Sequence, residues 1–209
     1  MCKIYHITHI SNLQSIIETG GLWCDSHVTS NGVTVKGIAH EHIKERRRRR
    51  TVDVNPGGNL CDYVPFYFCP RSPMLYSIHK GNVECYRGGQ DNILHLEAQI
   101  DQVVQRGLSF VFTDGHAEMT ISRFYTDLCD LDVIDWDLMQ STWWNDTLEF
   151  PDRKRRRQAE FLVQYFFPWE LISKIGVRLV RIQTQVQSII EQTTKFPHPI
   201  VEQELDWYY

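Results

Sequence analysis

The segment AEFLVQYFF, residues 159–167, constrains the fold more than any other part of the sequence. It is mostly aliphatic and aromatic, a composition that predicts a buried strand. Glu160 lies at the start of this strand, three residues after the end of the basic run RKRRR. A carboxylate at the mouth of an apolar interior is costly unless a partner or a chemical task keeps it there. We therefore predict that Glu160 is a functional residue at the rim of the core.

Other segments predict a domain that mixes strands with helices. KIYHITHI alternates like a strand, and further strands are predicted in DYVPFYFC, NILHLEAQI, LSFVFTD, ISKIGVRL and VEQELDWYY. Helices are predicted over SNLQSIIETGG, with Ser11 and Gln14 as a capping box, over 38–50, and over RSPMLYSIHKG and IQTQVQSIIEQ. Residues 24–38 have loop character, and Pro65 predicts an edge strand or a bulge. Helices and strands do not alternate regularly, so we expect one α+β domain over residues 1–209.

The composition narrows the class of protein further. A chain of 209 residues that is 42% hydrophobic can build one well-covered core. No stretch approaches the roughly 20 apolar residues of a membrane span, and the N-terminal segment MCKIYHITHI is strand-like, unlike a secretion signal. The six cysteines form no CxxC pair, so we expect reduced thiols and no structural zinc. Together these features predict a soluble cytoplasmic protein.

Positive charge is concentrated in two runs, although the formal net charge of the chain is −4. These runs are RRRRR at 46–50 and RKRRR at 153–157. Clustered arginine and lysine side chains favour a polyanion, because phosphate binding is driven largely by counterion release. A solvated helix face is the alternative for either run taken alone. Since both runs flank residues that packing does not explain, phosphate binding is the favoured interpretation.

Polar side chains on the first predicted strand form a second candidate group. His6 and Thr8 lie on one face of that strand, where they are either solvent-exposed or line a cleft that offers an imidazole and a hydroxyl to a ligand. The HITH pattern, with His40 and His42 elsewhere, also raises a metal site. This reading is disfavoured because His6 and His9 point to opposite faces and no acidic cluster accompanies them.

Aromatic and hydroxyl groups come together in FYFCPRSPMLY, which predicts a strand, a turn and a helix. Tyr67, Ser72 and Tyr76 in this segment are consistent with ordinary packing. The same groups also suit a slot for a flat heterocycle, in which stacking and one hydrogen bond fix the orientation.

A long connection, residues 115–158, mixes Asp, Trp and short helical patterns between two strands. Connections of this length are typical of functional loops. Trp136, Trp143 and Trp144 lie in it, and they are explained about equally by core packing and by stacking on nucleobases.

Five segments, in order along the chain, resemble the DarT family, the DNA ADP-ribosyltransferase toxins of DarT–DarG toxin–antitoxin systems. They are IYHITHISNLQSII, HIKERRRRR, GGNLCDYVPFYFCPRSPMLY, SFVFTDGHA and KRRRQAEFLV, and the ending DWYY is also similar. More distantly, the order H-x-T, then YF…S…Y, then Glu resembles the poly(ADP-ribose) polymerase branch of the ADP-ribosyltransferases. The resemblance implies an ADP-ribosyltransferase-like domain with a central split mixed β-sheet, peripheral helices and a cleft for NAD.

The resemblance also implies roles for individual residues. It places the catalytic glutamate at Glu160, the essential NAD-contacting arginine at Arg47 and a further active-site histidine at His116. Together with the aromatic slot, it gives an expected set of NAD-binding residues: His6, Ile7, Thr8, Ser15, Trp23, Arg47, Tyr67, Ser72 and Tyr76. Nucleic-acid contacts are expected from Arg46, Arg48, Trp143, Trp144, Arg153, Lys154, Arg155 and Arg156. The substrate-binding loop is expected at about residues 116–158, and no metal is expected.

The activity implied is sequence-dependent transfer of ADP-ribose from NAD to thymidine bases of single-stranded DNA, with release of nicotinamide. We expect Glu160 to offset positive charge on the nicotinamide ribose as the glycosidic bond breaks. We expect Arg47 to stabilise the thymine anion or the pyrophosphate, with water or His116 accepting the proton. The resemblance further implies a macrodomain antitoxin of the DarG type as partner. The alternatives are an RNA-directed ADP-ribosyl or 2′-phosphate transferase and a non-catalytic nucleic-acid-binding module.

Overall fold

The computed structural model describes residues 2–32, 35–193 and 196–209. Within these ranges the strands are β1 (Lys3–His9), β2 (Gly21–Trp23), β3 (Tyr63–Tyr67), β4 (Ile93–Gln99), β5 (Phe110–His116), β6 (Phe124–Tyr125), β7 (Ala159–Gln164), β8 (Phe166–Pro168), β9 (Lys174–Val177) and β10 (Ile200–Gln203). The α-helices are α1 (Leu13–Glu18), α2 (Asp25–Ser30), α3 (Glu41–Arg49), α4 (Pro73–His79), α5 (Ile100–Gln105), α6 (Trp136–Gln140), α7 (Arg153–Arg156) and α8 (Val180–Glu191). The α+β class predicted from the sequence is confirmed.

Eight strands of the described chain form one sheet in the order β10-β9-β4-β1-β3-β7-β5-β6. The sheet is mixed, because β9 and β10 are parallel whereas the pairs between β4, β1, β3, β7 and β5 are antiparallel. It opens between β1 and β3: among the described residues, Tyr5 and Tyr67 alone pair across this boundary. Beyond that point His6 Nδ1 donates a hydrogen bond to the Pro65 carbonyl at 2.8 Å. The predicted split sheet is therefore present, and a side chain bridges part of the opening.

The prediction that Pro65 marks an edge strand or a bulge is wrong, because β3 lies in the middle of the sheet and pairs with β7 in unbroken register. The N and the C=O of one strand residue point to the same side, and the Pro65 carbonyl points towards His6 on β1. The position that lacks an N–H therefore faces the opening, where no strand-to-strand hydrogen bond is required. Proline is tolerated in this central strand because the sheet is split beside it.

The start of α1 also differs from the prediction. Ser11 lies in a 3-10 turn that precedes α1, and its hydroxyl hydrogen-bonds His9 Nδ1 at 2.7 Å. Gln14 donates to Glu18 one turn later, at 2.8 Å, so Ser11 and Gln14 form no capping box. Gly20 has a φ of 82° and follows the end of the helix, as predicted.

Residues 24–38 are only partly loop, because α2 begins at Asp25. Asp25 is favourable in the first turn, where the helix dipole is positive. His27 of this helix stacks on Trp23 of β2 with ring centroids 3.8 Å apart. This stacking between neighbouring elements is not visible in the local sequence pattern. Val33 and Thr34, within the same predicted loop, lie outside the described residues.

The main apolar core lies against one face of the sheet. Leu13 of α1 and Val186 of α8 are buried there, together with Phe161 and Val163 of β7. Because side chains alternate along a strand, Glu160 points to the opposite face. In the described part of the chain, no helix has the length and apolar character needed to cross a membrane.

Candidate active site

Glu160 is buried, with 4% of its surface exposed, and it lines a large cavity. Its Oε2 accepts a hydrogen bond from Arg47 Nη1 at 2.7 Å. Its Oε1 accepts one from the Ala117 backbone N–H at 3.1 Å. Arg47 comes from α3 and is itself only 9% exposed. The buried charge of Glu160 is thus compensated by a buried arginine, and a main-chain N–H donates a second hydrogen bond.

An irregularity in the sheet places Ala117 beside Glu160. The pairing of β5 with β7 shifts register near the end of β5. There the Thr113 hydroxyl accepts from the Glu160 N–H at 3.1 Å and donates to the Gly115 carbonyl at 2.7 Å. Register shifts of this kind redirect the chain beside functional sites. Here the shift turns the chain after β5 so that a main-chain N–H reaches the carboxylate.

Arg47 keeps its positive charge in the cavity wall. Burial acts to lower the pKa of Arg47, but the charge of Glu160 and the hydrogen bond to it prevail, so the pKa lies above its ordinary value. Its second amino nitrogen, Nη2, is buried and has no hydrogen-bond partner among the described residues. A buried donor without a partner costs about 1–3 kcal/mol. Arg47 therefore retains a donor for a bound ligand while it holds Glu160 in place.

The cavity lies where the sheet opens between β1 and β3, and its volume is about 830 Å³. This is within the roughly 300–1,000 Å³ typical of small-molecule sites. The structure brings most of the expected NAD-binding residues to its walls: His6, Ile7, Thr8, Ser15, Trp23, Arg47, Tyr67 and Tyr76. The candidate catalytic residues His116 and Glu160 line it as well. Residues far apart in the sequence thus converge on one site.

Ser72 does not line this cavity, contrary to the prediction. It is fully buried, and its hydroxyl accepts a hydrogen bond from the Leu75 N–H at 3.2 Å as the N-cap of α4. Capping directs the hydroxyl to the helix end. Ser77, in the same helix, lines the cavity instead.

Two groups that line the cavity have protonation states fixed by their surroundings. Desolvation lowers the pKa of His6, so its imidazole is neutral near pH 7. A carbonyl only accepts, so Nδ1 of His6 carries the proton donated to Pro65, and Nε2 is an acceptor. Desolvation and the charge of Glu160 raise the pKa of Tyr67, which remains a protonated phenol. The cavity thus presents an acceptor at His6 and a hydroxyl at Tyr67.

Sequence reasoning missed several lining residues, of which Asn12 is the best supported by contacts. Its Nδ2 donates to Thr8 Oγ1 and to the Lys36 carbonyl, both at 3.1 Å, and its Oδ1 accepts from the Lys36 N–H at 2.7 Å. Asn12 therefore holds the segment around Lys36 against β1 and closes one side of the cavity. Asp25 of α2 also lines the cavity. Neither residue lies in a periodic pattern that would have identified it.

The arginines of the first basic run point in different directions because they occupy consecutive positions of a helix. Arg47 faces Glu160, and Arg48 also lines the cavity while it pairs with Glu45 at 3.1 Å. Arg46 pairs with Glu118 at 2.7 Å. Among the described contacts of this run, Arg47 is the arginine that hydrogen-bonds Glu160.

The second basic run is largely engaged within the protein. Lys154 is exposed and lines the cavity. Arg153 donates to the Trp143 carbonyl, and Arg156 pairs with Asp135 at 3.2 Å. Lys154, Arg153 and Arg156 stay predicted phosphate contacts.

Arg155 differs from the expectation of a free phosphate contact. Its guanidinium pairs with Asp114 at 3.0 Å and with Asp152 at 2.7 Å, and it also donates to Ser122 Oγ at 3.1 Å. The side chain is only 11% exposed. The carboxylates compensate its charge, so Arg155 holds α7 against β5 and offers little to DNA.

The tryptophans of the 116–158 segment occupy different environments. Trp144 lines the cavity and contacts Tyr76 edge to face, with ring centroids 5.4 Å apart. Trp143 is 76% exposed, which disfavours the core-packing explanation for this residue. Trp136 also contacts Phe68 edge to face, with ring centroids 5.6 Å apart. In the part of the chain that the structure describes, no group of three or more His, Cys, Asp or Glu side chains could hold a metal ion.

A family model described as "DarT: ssDNA thymidine ADP-ribosyltransferase, DarT" matches residues 5–209. The chain belongs to the DarT family. A DarT-family relative from Thermus sp. (strain 2.9), described as a DNA ADP-ribosyl transferase, is 45% identical over 206 residues, which cover 99% of this chain and 95% of the relative. The resemblance seen in the sequence is therefore confirmed.

Solved structures of Thermus sp. 2.9 DarT have the same fold. The structure in complex with ADP-ribosylated ssDNA has a TM-score of 0.93 at 44% identity, covering 100% of this chain and 96% of that chain. The complex with NAD+ has a TM-score of 0.88 at 41% identity, with 100% and 98% covered. A second relative, from Thermosipho africanus, is a DNA ADP-ribosyl transferase–DNA ADP-ribosyl glycohydrolase fusion protein, 28% identical over 123 residues that cover 59% of this chain and 29% of the relative.

Proposed function

We propose that this member of the DarT family transfers ADP-ribose from NAD to a thymidine base of single-stranded DNA and releases nicotinamide. The observation that carries the proposal is the buried pair of Arg47 and Glu160 in the wall of a cavity of about 830 Å³. The Thermus relative supports both substrates, because it was solved with NAD+ and with ADP-ribosylated ssDNA.

NAD occupies the cavity in this proposal, with nicotinamide between Tyr67 and Tyr76 and its ribose beside Glu160. Both oxygens of Glu160 already accept one hydrogen bond, yet a carboxylate has about four lone-pair sites and can accept a ribose hydroxyl as well. As the bond between the ribose C1′ and the nicotinamide nitrogen breaks, positive charge develops on the sugar. The fixed negative charge of Glu160 stabilises that charge in a site largely shielded from water.

The thymine N3 is the nucleophile: it loses its imide proton and forms the new bond to C1′. Arg47 is poorly suited as the base, because a guanidinium is not deprotonated in proteins. Its free Nη2 is instead a donor for the oxygen of the thymine anion or for the pyrophosphate.

The contacts of His116 bear on which group accepts the imide proton. His116 Nδ1 accepts from the Glu118 N–H at 3.3 Å, so the neutral ring carries its proton on Nε2. This arrangement favours water as the acceptor and gives His116 the role of a hydrogen-bond donor.

Mass spectrometry of a short oligonucleotide after incubation with protein and NAD tests the proposed function. We expect a mass increase of one ADP-ribose on thymidine-containing single-stranded DNA and none on the matched RNA or on DNA without thymidine. Modification of RNA alone would replace the proposal with an RNA-directed transferase. DNA binding without any NAD-dependent modification would favour the non-catalytic alternative.

We also propose that the protein acts as a toxin in the cytoplasm and is countered by a DarG-type macrodomain. The Thermosipho africanus fusion supports the partner, since it joins a DNA ADP-ribosyl transferase to a DNA ADP-ribosyl glycohydrolase in one chain. The six cysteines are free, which fits a reducing compartment. Growth arrest on expression, relieved by coexpression of such a glycohydrolase, would test this proposal.

A further inference from the structure

Tyr76, which lines the active-site cavity, packs against an aromatic residue that is remote in the sequence. Its ring contacts both Trp144 and Tyr209 edge to face, with centroids 5.4 Å and 5.0 Å away, respectively. Trp144 is part of the cavity lining, whereas Tyr209 is not among the described residues that form it. His79, one turn further along α4, also contacts the ring of Tyr209, with centroids 5.9 Å apart. Tyr209 thus supports the cavity wall from outside the cavity.

The hydroxyl of Tyr209 is anchored at the start of the helix that carries Tyr76. It donates to the Arg71 carbonyl at 3.0 Å and, at a longer 3.4 Å, to the Ser72 carbonyl. The same Ser72 carbonyl accepts a hydrogen bond from the N–H of Tyr76 at 3.1 Å, in the first turn of α4. Arg157 Nη2 also donates to the Arg71 carbonyl, at 3.0 Å. The hydroxyl therefore helps to fix the turn before α4, and with it the direction in which the Tyr76 side chain leaves the helix.

Tyr209 is itself held in place at its main chain. Its N–H donates to Gln90 Oε1 at 3.1 Å, and Gln90 Nε2 donates to its main-chain oxygen. Gln90 is only 5% exposed. The guanidinium of Arg71 lies over the ring of Tyr209, 5.8 Å from its centroid. Because the main chain and the ring are both fixed, Tyr209 can impose a defined position on Tyr76.

The preceding residue, Tyr208, makes the same kind of contact in a different part of the protein. It is buried, with 2% of its surface exposed, and its hydroxyl contacts the Ile93 carbonyl at 2.8 Å and the Gly176 carbonyl at 3.0 Å. These carbonyls belong to β4 and β9, and neither strand contributes to the active-site cavity as the structure describes it. Tyr208 therefore ties two strands of the sheet together, whereas Tyr209 ties down the cavity wall.

We infer that Tyr209 is a positioning residue for NAD, which holds Tyr76 in the orientation that forms one side of the nicotinamide slot. The inference rests on the proposed function and extends it to a residue outside the cavity. A wall that is already ordered does not have to be ordered when NAD binds, so the affinity for NAD is higher. Because Tyr209 acts through Tyr76 and lies outside the described lining, the chemical step depends little on it once NAD is bound.

The test compares Tyr209→Phe with Tyr208→Phe, the matched control that removes the same group one residue earlier. Tyr209→Phe keeps a ring beside Tyr76 but lacks the hydroxyl, so the affinity for NAD, measured by calorimetry without DNA, should fall about fivefold, the effect of one net hydrogen bond. In modification assays KM for NAD should rise by a similar factor, while kcat stays within about twofold of that of the unaltered protein. Tyr208→Phe should lower the urea concentration at the midpoint of unfolding and leave the affinity for NAD unchanged.

A double-mutant cycle assigns the effect to Tyr76. In a Tyr76→Leu protein, the further change Tyr209→Phe should alter the affinity for NAD less than about twofold, because the ring that Tyr209 positions is gone. Three results would overturn the inference: normal NAD affinity in Tyr209→Phe, equal losses in Tyr209→Phe and Tyr208→Phe, or an undiminished loss in the Tyr76→Leu background. In each case the proposed function stands if the unaltered protein modifies thymidine. If the unaltered protein neither binds NAD nor modifies thymidine, the proposed function fails and the inference falls with it.

Discussion

Arg47 Nη1 lies 2.7 Å from Glu160 Oε2, although the two residues are 113 positions apart in the sequence. Both side chains are at least 90% buried. Removing one partner leaves the other as an uncompensated buried charge, which typically costs about 3–5 kcal/mol of stability. The pair therefore supports the fold, and variants that test its proposed catalytic role must preserve the hydrogen bond.

Glu160→Gln should lower the rate of thymidine modification at least about 100-fold, because the amide can still accept from Arg47 but carries no negative charge to stabilise the ribose cation. NAD affinity, measured by calorimetry, should change less than about fivefold. Glu45→Gln, on the solvent side of α3, is the control and should react at the normal rate. A Glu160→Gln protein that modifies DNA at a comparable rate would exclude the proposed role of the carboxylate.

Arg47→Lys should lower activity at least about 30-fold, since lysine keeps the charge but lacks the planar fork that contacts Glu160 and a ligand at the same time. Arg49→Lys is the matched control in the same basic run: the Arg49 side chain is 79% exposed and its guanidinium pairs with Glu45. The Arg49→Lys protein should react at the normal rate. Its free energy of unfolding should stay within about 0.5 kcal/mol of that of the unaltered protein. Equal losses in the two variants would contradict the assignment of Arg47.

Lys154→Ala should weaken binding of single-stranded DNA and reduce the slope of log K against log [salt] by about 0.7, the value for one phosphate contact. Arg155→Ala should leave that slope unchanged, because Asp114 and Asp152 already compensate Arg155. It should instead lower the free energy of unfolding by about 1–3 kcal/mol, since Asp114 loses its partner. Fluorescence anisotropy across a salt series, with urea denaturation of both variants, distinguishes the two outcomes.

His95 should make the protein less stable in mild acid. It is fully buried, and burial lowers its pKa to about 4. As pH falls from about 6.5 to about 4, the unfolded chain takes up a proton that the folded chain does not, so the free energy of unfolding decreases.

His95→Gln should flatten this pH dependence by up to about 1.4 kcal/mol per pH unit. His6, whose pKa is also lowered, contributes with the same sign, so part of the slope should remain. Urea denaturation at several pH values measures the slope, with the exposed position His42→Gln as the control. An unchanged slope in His95→Gln would show that this residue does not titrate as inferred.

Several features of the site were predictable because they leave a local signal. Alternation identifies β1 and β7, and Glu160 is conspicuous because it is a carboxylate at the start of an apolar strand. The helix over the first basic run was also predictable. Its composition gives no preference among five arginines, however, and only the rotation of α3 relative to β7 brings Arg47 to Glu160.

Two predicted contact residues have a structural use in the fold, because a local pattern has more than one possible role. Ser72 has the residue type of a ligand contact and of a helix N-cap, and the start of α4 decides for the cap. Arg155 lies in a run typical of phosphate binding, yet Asp114, 41 positions away, pairs with it. In both cases the deciding partner is supplied by the fold.

The sequence alone determined the α+β class, the longer strands, the family and the carboxylate on which the proposed chemistry depends, because periodicity and motifs are local properties. The short strands β2, β6 and β8 were not predicted as separate strands. The tertiary structure decided which arginine pairs with Glu160 and which basic side chains pair with carboxylates of the protein itself. Those outcomes depend on distances between residues remote in sequence. Such distances are set by how helices and strands pack, and no single segment encodes them.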